Sequence, residues 1–69
     1  MESIYILTVS TDEASAEWYF TTKEKAINFI KDNFSFDNPR KIAKDLYQGI
    51  HHYYIIISEV VDQRFAVAP

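Results

Sequence analysis

The fold depends on residues 50–61, IHHYYIIISEVV, which directly follow the only glycine of the chain, Gly49. This stretch is the longest run of β-branched and aromatic residues in the protein. Such side chains fit the pleated surface of a sheet and lose χ1 freedom in a helix, so the stretch is predicted to be a strand. Alternate side chains of a strand point to opposite faces, and neither set is polar here. We therefore expect this strand to lie inside a sheet, since a one-sided edge strand alternates between apolar and polar residues.

Two more strands are predicted near the start of the chain. Residues 4–9 (IYILTV) and 16–20 (AEWYF) are rich in β-branched and aromatic side chains. The connection between them is short and carries the acidic pair Asp12 and Glu13. A β-hairpin is the simplest pairing of two strands joined in this way.

A first helix is predicted at about residues 22–33. Thr21 followed by Glu24 matches a capping box, in which the hydroxyl and the carboxylate each accept a backbone N–H of the first turn. Apolar side chains then recur at helical spacing. They are Ala26, Ile27, Phe29, Ile30 and Phe34.

A second, shorter helix is predicted between Asn38 and Gly49. Asn38-Pro39 has the form of an N-cap followed by proline in the first turn, and Gly49 is suited to a left-handed stop. The apolar face of this helix would hold Ile42, Ala43, Leu46 and Tyr47.

These elements predict an α+β fold of order ββααβ: one domain over residues 1–69, with two helices on one face of a small three-stranded, largely antiparallel sheet. Residues 62–69 fit either a frayed end or a brief fourth strand. The core is expected to lie between helices and sheet. Its expected members are Trp18, Phe20, Ile27, Ile30 and Leu46.

The composition limits the classes of function. The chain has 69 residues, no cysteine, a net charge of −3 and a pI near 5.1. The absence of cysteine excludes a disulfide framework and thiolate metal sites. The acidic balance disfavours nucleic-acid binding. No apolar run reaches the roughly 18 residues that span a membrane, and the first residues do not resemble a signal peptide, so a cytoplasmic location is expected.

No residue pattern points to catalysis, a metal or a cofactor. His51 and His52 are neighbours on the predicted strand and would point to opposite faces, so the pair cannot chelate one metal ion. The single glycine cannot build a phosphate-binding loop or a nucleophile elbow. Asp12 and Glu13 lie at a solvated turn, where nothing separates their pKa values. We therefore predict that the protein is not an enzyme.

Arg40, Lys41 and Lys44 would share one side of the predicted second helix. They could contact phosphate groups or an acidic partner, and a small nucleic-acid-contacting module is the alternative function that they suggest. A solvated helix face is the favoured interpretation, because nucleic-acid-binding domains usually have a pI above about 9.

One face of the sheet is predicted to bind a protein partner. Glu17 and Glu59 should both avoid the core, and this choice places Tyr19, Tyr53, Ile55 and Ile57 on the side away from the helices. Such an apolar patch with an acidic rim is larger than a monomer normally exposes, and tyrosine is enriched in interfaces. We expect a partner protein or a second copy to cover it.

The chain also resembles a loose group of small, mostly uncharacterised proteins from phages and bacteria. The resemblance lies in Tyr19-Phe20-Thr21-Thr22-Lys23-Glu24-Lys25-Ala26, an aromatic-Thr pair that enters an E-x-A helix, and in Tyr53-Tyr54-Ile55-Ile56 of a tyrosine-rich closing strand. The group supplies no catalytic residues. The resemblance implies a non-enzymatic domain similar to phage proteins that inhibit host or defence proteins by direct contact.

Overall fold

A computed structural model of the chain describes residues 2–61. Over these residues the protein is a single small α+β domain with five strands, an α-helix and a 3₁₀ turn. In chain order the elements are β1 (Glu2–Ser10), β2 (Ser15–Phe20), α1 (Lys23–Asn33), the 3₁₀ turn (Ser35–Asp37), β3 (Arg40–Ala43), β4 (Leu46–Gln48) and β5 (Tyr53–Val61).

The five strands form one antiparallel sheet in the order β2-β1-β5-β4-β3. β1 and β2 make the hairpin that the sequence predicts, with Leu7 opposite Trp18. β5 pairs along its whole length with β1 and through its first three residues with β4. The isoleucine-rich stretch is therefore an interior strand, because hydrogen-bonded neighbours lie on both of its sides.

The predicted three-stranded sheet with two helices is wrong. The segment assigned to a second helix forms the β3–β4 hairpin, which adds two strands beside β5. Asn38 takes a left-handed conformation (φ 50°) and closes the 3₁₀ turn, while Asp45 (φ 58°) lies in the β3–β4 turn. Pairing with β5 satisfies the backbone groups of β4, and this tertiary contact overrides a weak helical preference.

The first helix is confirmed as α1, with a cap one residue later than predicted. Thr22, rather than Thr21, is the N-cap, and its hydroxyl accepts the backbone N–H of Lys25 at 3.1 Å. The Thr21 hydroxyl instead accepts from the Lys25 ammonium, so the Thr21–Glu24 capping box does not form. The buried side chains of α1 are Ala26 and Ile30, and they pack against β1 and β5. No helix within residues 2–61 is long and apolar enough to cross a membrane.

The core lies between α1 and one face of the sheet. Its buried hydrophobic members within residues 2–61 are Leu7, Val9, Ala26, Ile30, Tyr54 and Ile56. Trp18, Phe20 and Ile27 are partly buried against this cluster, in agreement with their predicted place. Leu46 is not part of it: Leu46 lies opposite Ile55 on the other face of the sheet, because the segment that carries it is a strand rather than a helix.

Candidate protein-interaction surface

The sheet has a covered face, on which α1 packs, and an open face, which carries no helix of residues 2–61. Residues directly opposite each other on antiparallel strands share a face, so the strand register defines both surfaces. Three rows across the sheet make up most of the open face. They are Tyr19–Ile6–Ile57, Glu17–Thr8–Ile55–Leu46 and Ser10–Tyr53–Gln48–Arg40. Ile4 and Glu59 form a fourth, terminal row.

Large apolar side chains of the open face are in contact with water. Tyr19 is 62% exposed, Ile57 48%, Tyr53 47% and Ile55 38%. Ile6 lies directly between Tyr19 and Ile57 in the register, so these side chains form one continuous patch rather than isolated residues. Contiguous exposed apolar surface of this kind marks interaction sites, whereas single exposed hydrophobic residues are ordinary.

Polar groups surround the patch and contact the hydroxyls of its two tyrosines. The Tyr19 hydroxyl donates to Glu17 Oε1 at 3.4 Å, and Gln48 Nε2 donates to the Tyr53 hydroxyl at 3.2 Å. Glu17 lies on the outer strand β2, and Arg40 lies on β3 at the opposite edge of the sheet. The open face thus has an apolar centre, an acidic edge and a basic edge, as a protein interface with a polar rim has.

All six residues predicted to bind a partner lie exposed on the open face: Tyr19, Tyr53, Ile55, Ile57, Glu17 and Glu59. The structure brings them together with Ile4, Ile6 and Leu46, which the sequence interpretation did not include. The signal for the two β1 isoleucines was present in the alternation of residues 4–9. Leu46 could not be recognised without the β3–β4 hairpin.

The three basic residues do not share one side of a helix, and that prediction is wrong. Arg40 lies opposite Gln48 on the open face, whereas Lys41 lies opposite Tyr47, which packs against the core on the covered face. Lys44 lies in the turn between β3 and β4. Neighbouring strand residues point apart, so the concentrated cationic surface expected of a helix is absent from this segment.

A second notable site lies beneath the loop that joins β4 to β5. Asp37 is fully buried at the end of the 3₁₀ turn. Its Oδ1 accepts the His51 backbone N–H at 2.7 Å, and its Oδ2 accepts the His52 backbone N–H at 3.1 Å and the Tyr54 hydroxyl at 2.7 Å. The Asp37 backbone carbonyl also accepts the Ile50 N–H at 2.8 Å. One residue therefore ties the loop to the 3₁₀ turn and to β5.

The hydrogen bonds determine the protonation state of this site. Burial alone would raise the pKa of Asp37, but the donors from Tyr54, His51 and His52 outweigh it and hold the pKa below its ordinary value. Burial, together with the Asp37 carboxylate, raises the pKa of the Tyr54 phenol well above its usual range. Asp37 is therefore a carboxylate and Tyr54 a neutral donor, which is the pair that their hydrogen bond requires.

Gly49 makes room for this carboxylate. A Cβ on Gly49 would lie 2.5 Å from the Asp37 Cγ and 2.8 Å from the Asp37 carbonyl oxygen, closer than real Cβ contacts permit. Gly49 does not have a positive φ, so the predicted left-handed helix stop is wrong. The glycine is needed for the close approach of two segments.

His51 and His52 lie in the loop before β5 rather than on the strand. The imidazole of His52 packs edge-on against Phe34, and its Nδ1 lies 3.2 Å from Asp37 Oδ2 without the geometry of a hydrogen bond. His52 also borders a shallow depression of about 230 Å³ between the β1–β2 hairpin and Phe34. Within residues 2–61 no three His, Asp or Glu side chains are grouped closely enough to hold a metal ion.

The geometry therefore separates two roles. The Asp37 carboxylate is fully engaged in holding the loop, whereas the large apolar groups of the open face are exposed and have no described helix packed on them. Comparisons of the chain with protein-family models, with curated proteins and with solved structures found no match.

Proposed function

We propose that this protein is a non-enzymatic protein-binding domain and that the open face is its binding surface. The observation that carries the proposal is the continuous apolar patch centred on Ile6, Tyr53 and Ile57, which a folded monomer leaves in water. Covering it would bury two tyrosines, a residue type that is enriched among the side chains contributing most to binding energy.

The arrangement of the patch supports binding of a folded partner or of an extended sheet surface. Tyr19 and Tyr53 each have a polar neighbour at the hydroxyl, and tyrosine has only two rotatable side-chain angles, so little rotamer freedom would be lost on association. Glu17 and Arg40 at opposite edges would give the partner a preferred orientation, since rim charges contribute more to specificity than to affinity.

The use of the buried polar groups supports the non-enzymatic part of the proposal. Both oxygens of Asp37 accept hydrogen bonds from the protein itself, so this carboxylate is not free to take a proton from a substrate. On this proposal, His52→Ala changes stability through lost packing against Phe34 and leaves partner affinity unchanged.

The resemblance of residues 19–26 and 53–56 to small phage and bacterial proteins supports a narrower form of the proposal. In this form the protein acts in the cytoplasm as a phage-type inhibitor of a host or defence protein. A domain without catalytic groups inhibits by occupying its target's surface, and the open face is the surface suited to that contact.

Site-specific photo-crosslinking in cells tests the proposal. A photoreactive phenylalanine analogue at Tyr53 places the crosslinker on the open face, and the same analogue at Val60 is the matched control. Val60 is on the same strand and is 62% exposed, but it is directed to the opposite face of β5. We expect crosslinked protein from position 53 and not from position 60.

The mass of the product identifies its partner class: twice the chain mass for a second copy and any other mass for a different protein. Absence of a specific product at position 53, with the variant folded, contradicts the proposed binding function.

A further inference from the structure

We infer that, in the free protein, the open face is covered by a second copy of this chain, packed sheet on sheet about a two-fold axis that runs parallel to the strands. This inference rests on the proposed function and names the occupant of the same surface. Three features of the open face support it: its area, its charges and the geometry of its edges.

The area of the open face reaches the lower end of the range for specific interfaces. With about 3.4 Å per residue and about 4.8 Å between strands, the sheet presents a flat area of roughly 500 Å², and protruding side chains increase the accessible surface. Standard interfaces bury about 800 Å² per partner, and non-specific lattice contacts mostly bury less than about 400 Å². Aligned sheets pack about 10 Å apart with their side chains interdigitated, which suits a face of isoleucine and tyrosine.

The charges of the open face complement each other within one copy. Glu17 is the acidic residue of the β2 edge, and Arg40 is a cation of the β3 edge. Lys44 lies in the adjoining turn, and the neighbouring Asp45 carboxylate is already paired with Lys23 of α1. The β3 edge therefore keeps a positive charge that the β2 edge of another copy can match.

This charge separation selects one of the two aligned arrangements. A two-fold axis parallel to the strands places the β2 edge of each copy over the β3 edge of the other, so that Glu17 approaches Arg40 twice. An axis across the strands places β2 over β2 and β3 over β3, which brings like charges together. Glu59 is in the terminal row, where two twisted sheets diverge and solvent can enter.

A second copy would also limit the access of other proteins to the open face. A target protein that binds the same side chains has to displace the second copy, so its apparent affinity falls as the concentration of the chain rises. The dimer is then the resting form of the protein.

Exchange of the two charges tests the inference. Glu17→Arg and Arg40→Glu each replace two attractive contacts by two repulsive ones and should weaken the dimer about tenfold or more. An equimolar mixture of the two variants should recover association at the wild-type strength, because every contact in the heterodimer is again between opposite charges. The double variant should recover it as a homodimer. Sedimentation equilibrium and native mass spectrometry measure the association of all five samples, the wild type included.

Two results would overturn the inference. One is a wild type that stays monomeric at the concentration of an NMR sample. The other is a mixture that associates no better than the single variants, which would mean that Glu17 and Arg40 do not face each other. Neither result removes the proposed function if the crosslinker at position 53 captures a different protein, so the two failures are distinguishable.

Discussion

Tyr53-Tyr54 and Ile55-Ile56 are adjacent pairs of identical residues with opposite environments. Tyr54 is fully buried and Ile56 is 4% exposed, whereas Tyr53 is 47% exposed and Ile55 38%. The same two side-chain types therefore form the core on the covered face of β5 and a candidate interface on its open face. The difference arises from what packs above each face, not from the chemistry of the strand.

The covered face is defined by long-range polar and aromatic contacts. Phe34 packs on Tyr54 with ring centroids 5.4 Å apart, and Asp37 accepts the Tyr54 hydroxyl. On the open face, the side-chain hydrogen bonds among residues 2–61 are local ones between exposed groups, such as that between Gln48 and Tyr53. The structure thus predicts that the same substitution affects folding when it is made on the covered face and association when it is made on the open face.

The largest difference in the free energy of unfolding is expected between Ile56→Ala and Ile55→Ala. Ile56→Ala should lower the free energy of unfolding by about 2–5 kcal/mol, since it leaves a cavity in the core. Ile55→Ala should cost the monomer about 1 kcal/mol or less because its side chain already contacts water. Chemical denaturation at low protein concentration measures both, and similar losses would contradict the assignment of the faces.

Removal of one hydroxyl from each tyrosine should give a smaller difference. Tyr54→Phe leaves the buried Asp37 without one of its donors and should cost about 1.5–3 kcal/mol, the range for hydrogen bonds to charged groups. Tyr53→Phe loses only an exposed bond to Gln48 and should change stability by less than about 0.5 kcal/mol. Thermal unfolding of the two variants compares them directly, and an unchanged Tyr54→Phe would show that the Asp37 contact is dispensable.

The smallest expected effect is the loss of folding stability at low pH that protonation of Asp37 causes on the covered side of the sheet. The folded pKa of Asp37 lies below its ordinary value of 3.8, so its contribution to stability is complete above that value. The contribution is lost as the pH falls through the lower folded pKa, at about 1.4 kcal/mol for each unit of pKa lowering.

Asp37→Asn should remove this part of the acid dependence while lowering stability at neutral pH. Asp45→Asn is the control for a second described carboxylate with a lowered pKa, that of the half-exposed pair with Lys23. If the acid dependence of Asp37→Asn matches that of the wild type, another group is responsible for it.

The sequence was sufficient for the elements whose signals are local. The β1–β2 hairpin, α1 and the interior strand β5 follow from periodicity and residue type. The β3–β4 hairpin did not, because Ile42, Ala43, Leu46 and Tyr47 are spaced as on a helix. The pairing of β4 with β5, which decides the structure of this segment, leaves no mark in that spacing. One indication of the missing hairpin was available. A strand that is apolar on both faces is expected to lie inside a sheet, with a paired neighbour on each side. A three-stranded sheet with β1 in the centre would instead leave β5 at an edge.

The residues of the open face could be predicted from the sequence, because Glu17 and Glu59 avoid burial wherever the helices lie. The Asp37 site could not. No local pattern separates a buried aspartate from one in a solvated turn, and its donors come from backbone groups of residues 51 and 52. The sequence marks Gly49 as a special position, but the predicted reason was a left-handed conformation. The structure shows that the reason is a lack of space for a side chain beside Asp37.

The close approach of Gly49 to Asp37 has a consequence for how this sequence can diverge. A chain that keeps the buried carboxylate at position 37 has no room for a side chain at position 49, and the 2.8 Å approach to the backbone carbonyl of residue 37 still disfavours one after the carboxylate is lost. Substitution of either residue alone is unfavourable, since one leaves backbone N–H groups without an acceptor and the other creates a clash. The dependence is therefore one-way: relatives of this protein that keep the aspartate should keep the glycine, whereas the glycine should persist in relatives that have lost the aspartate.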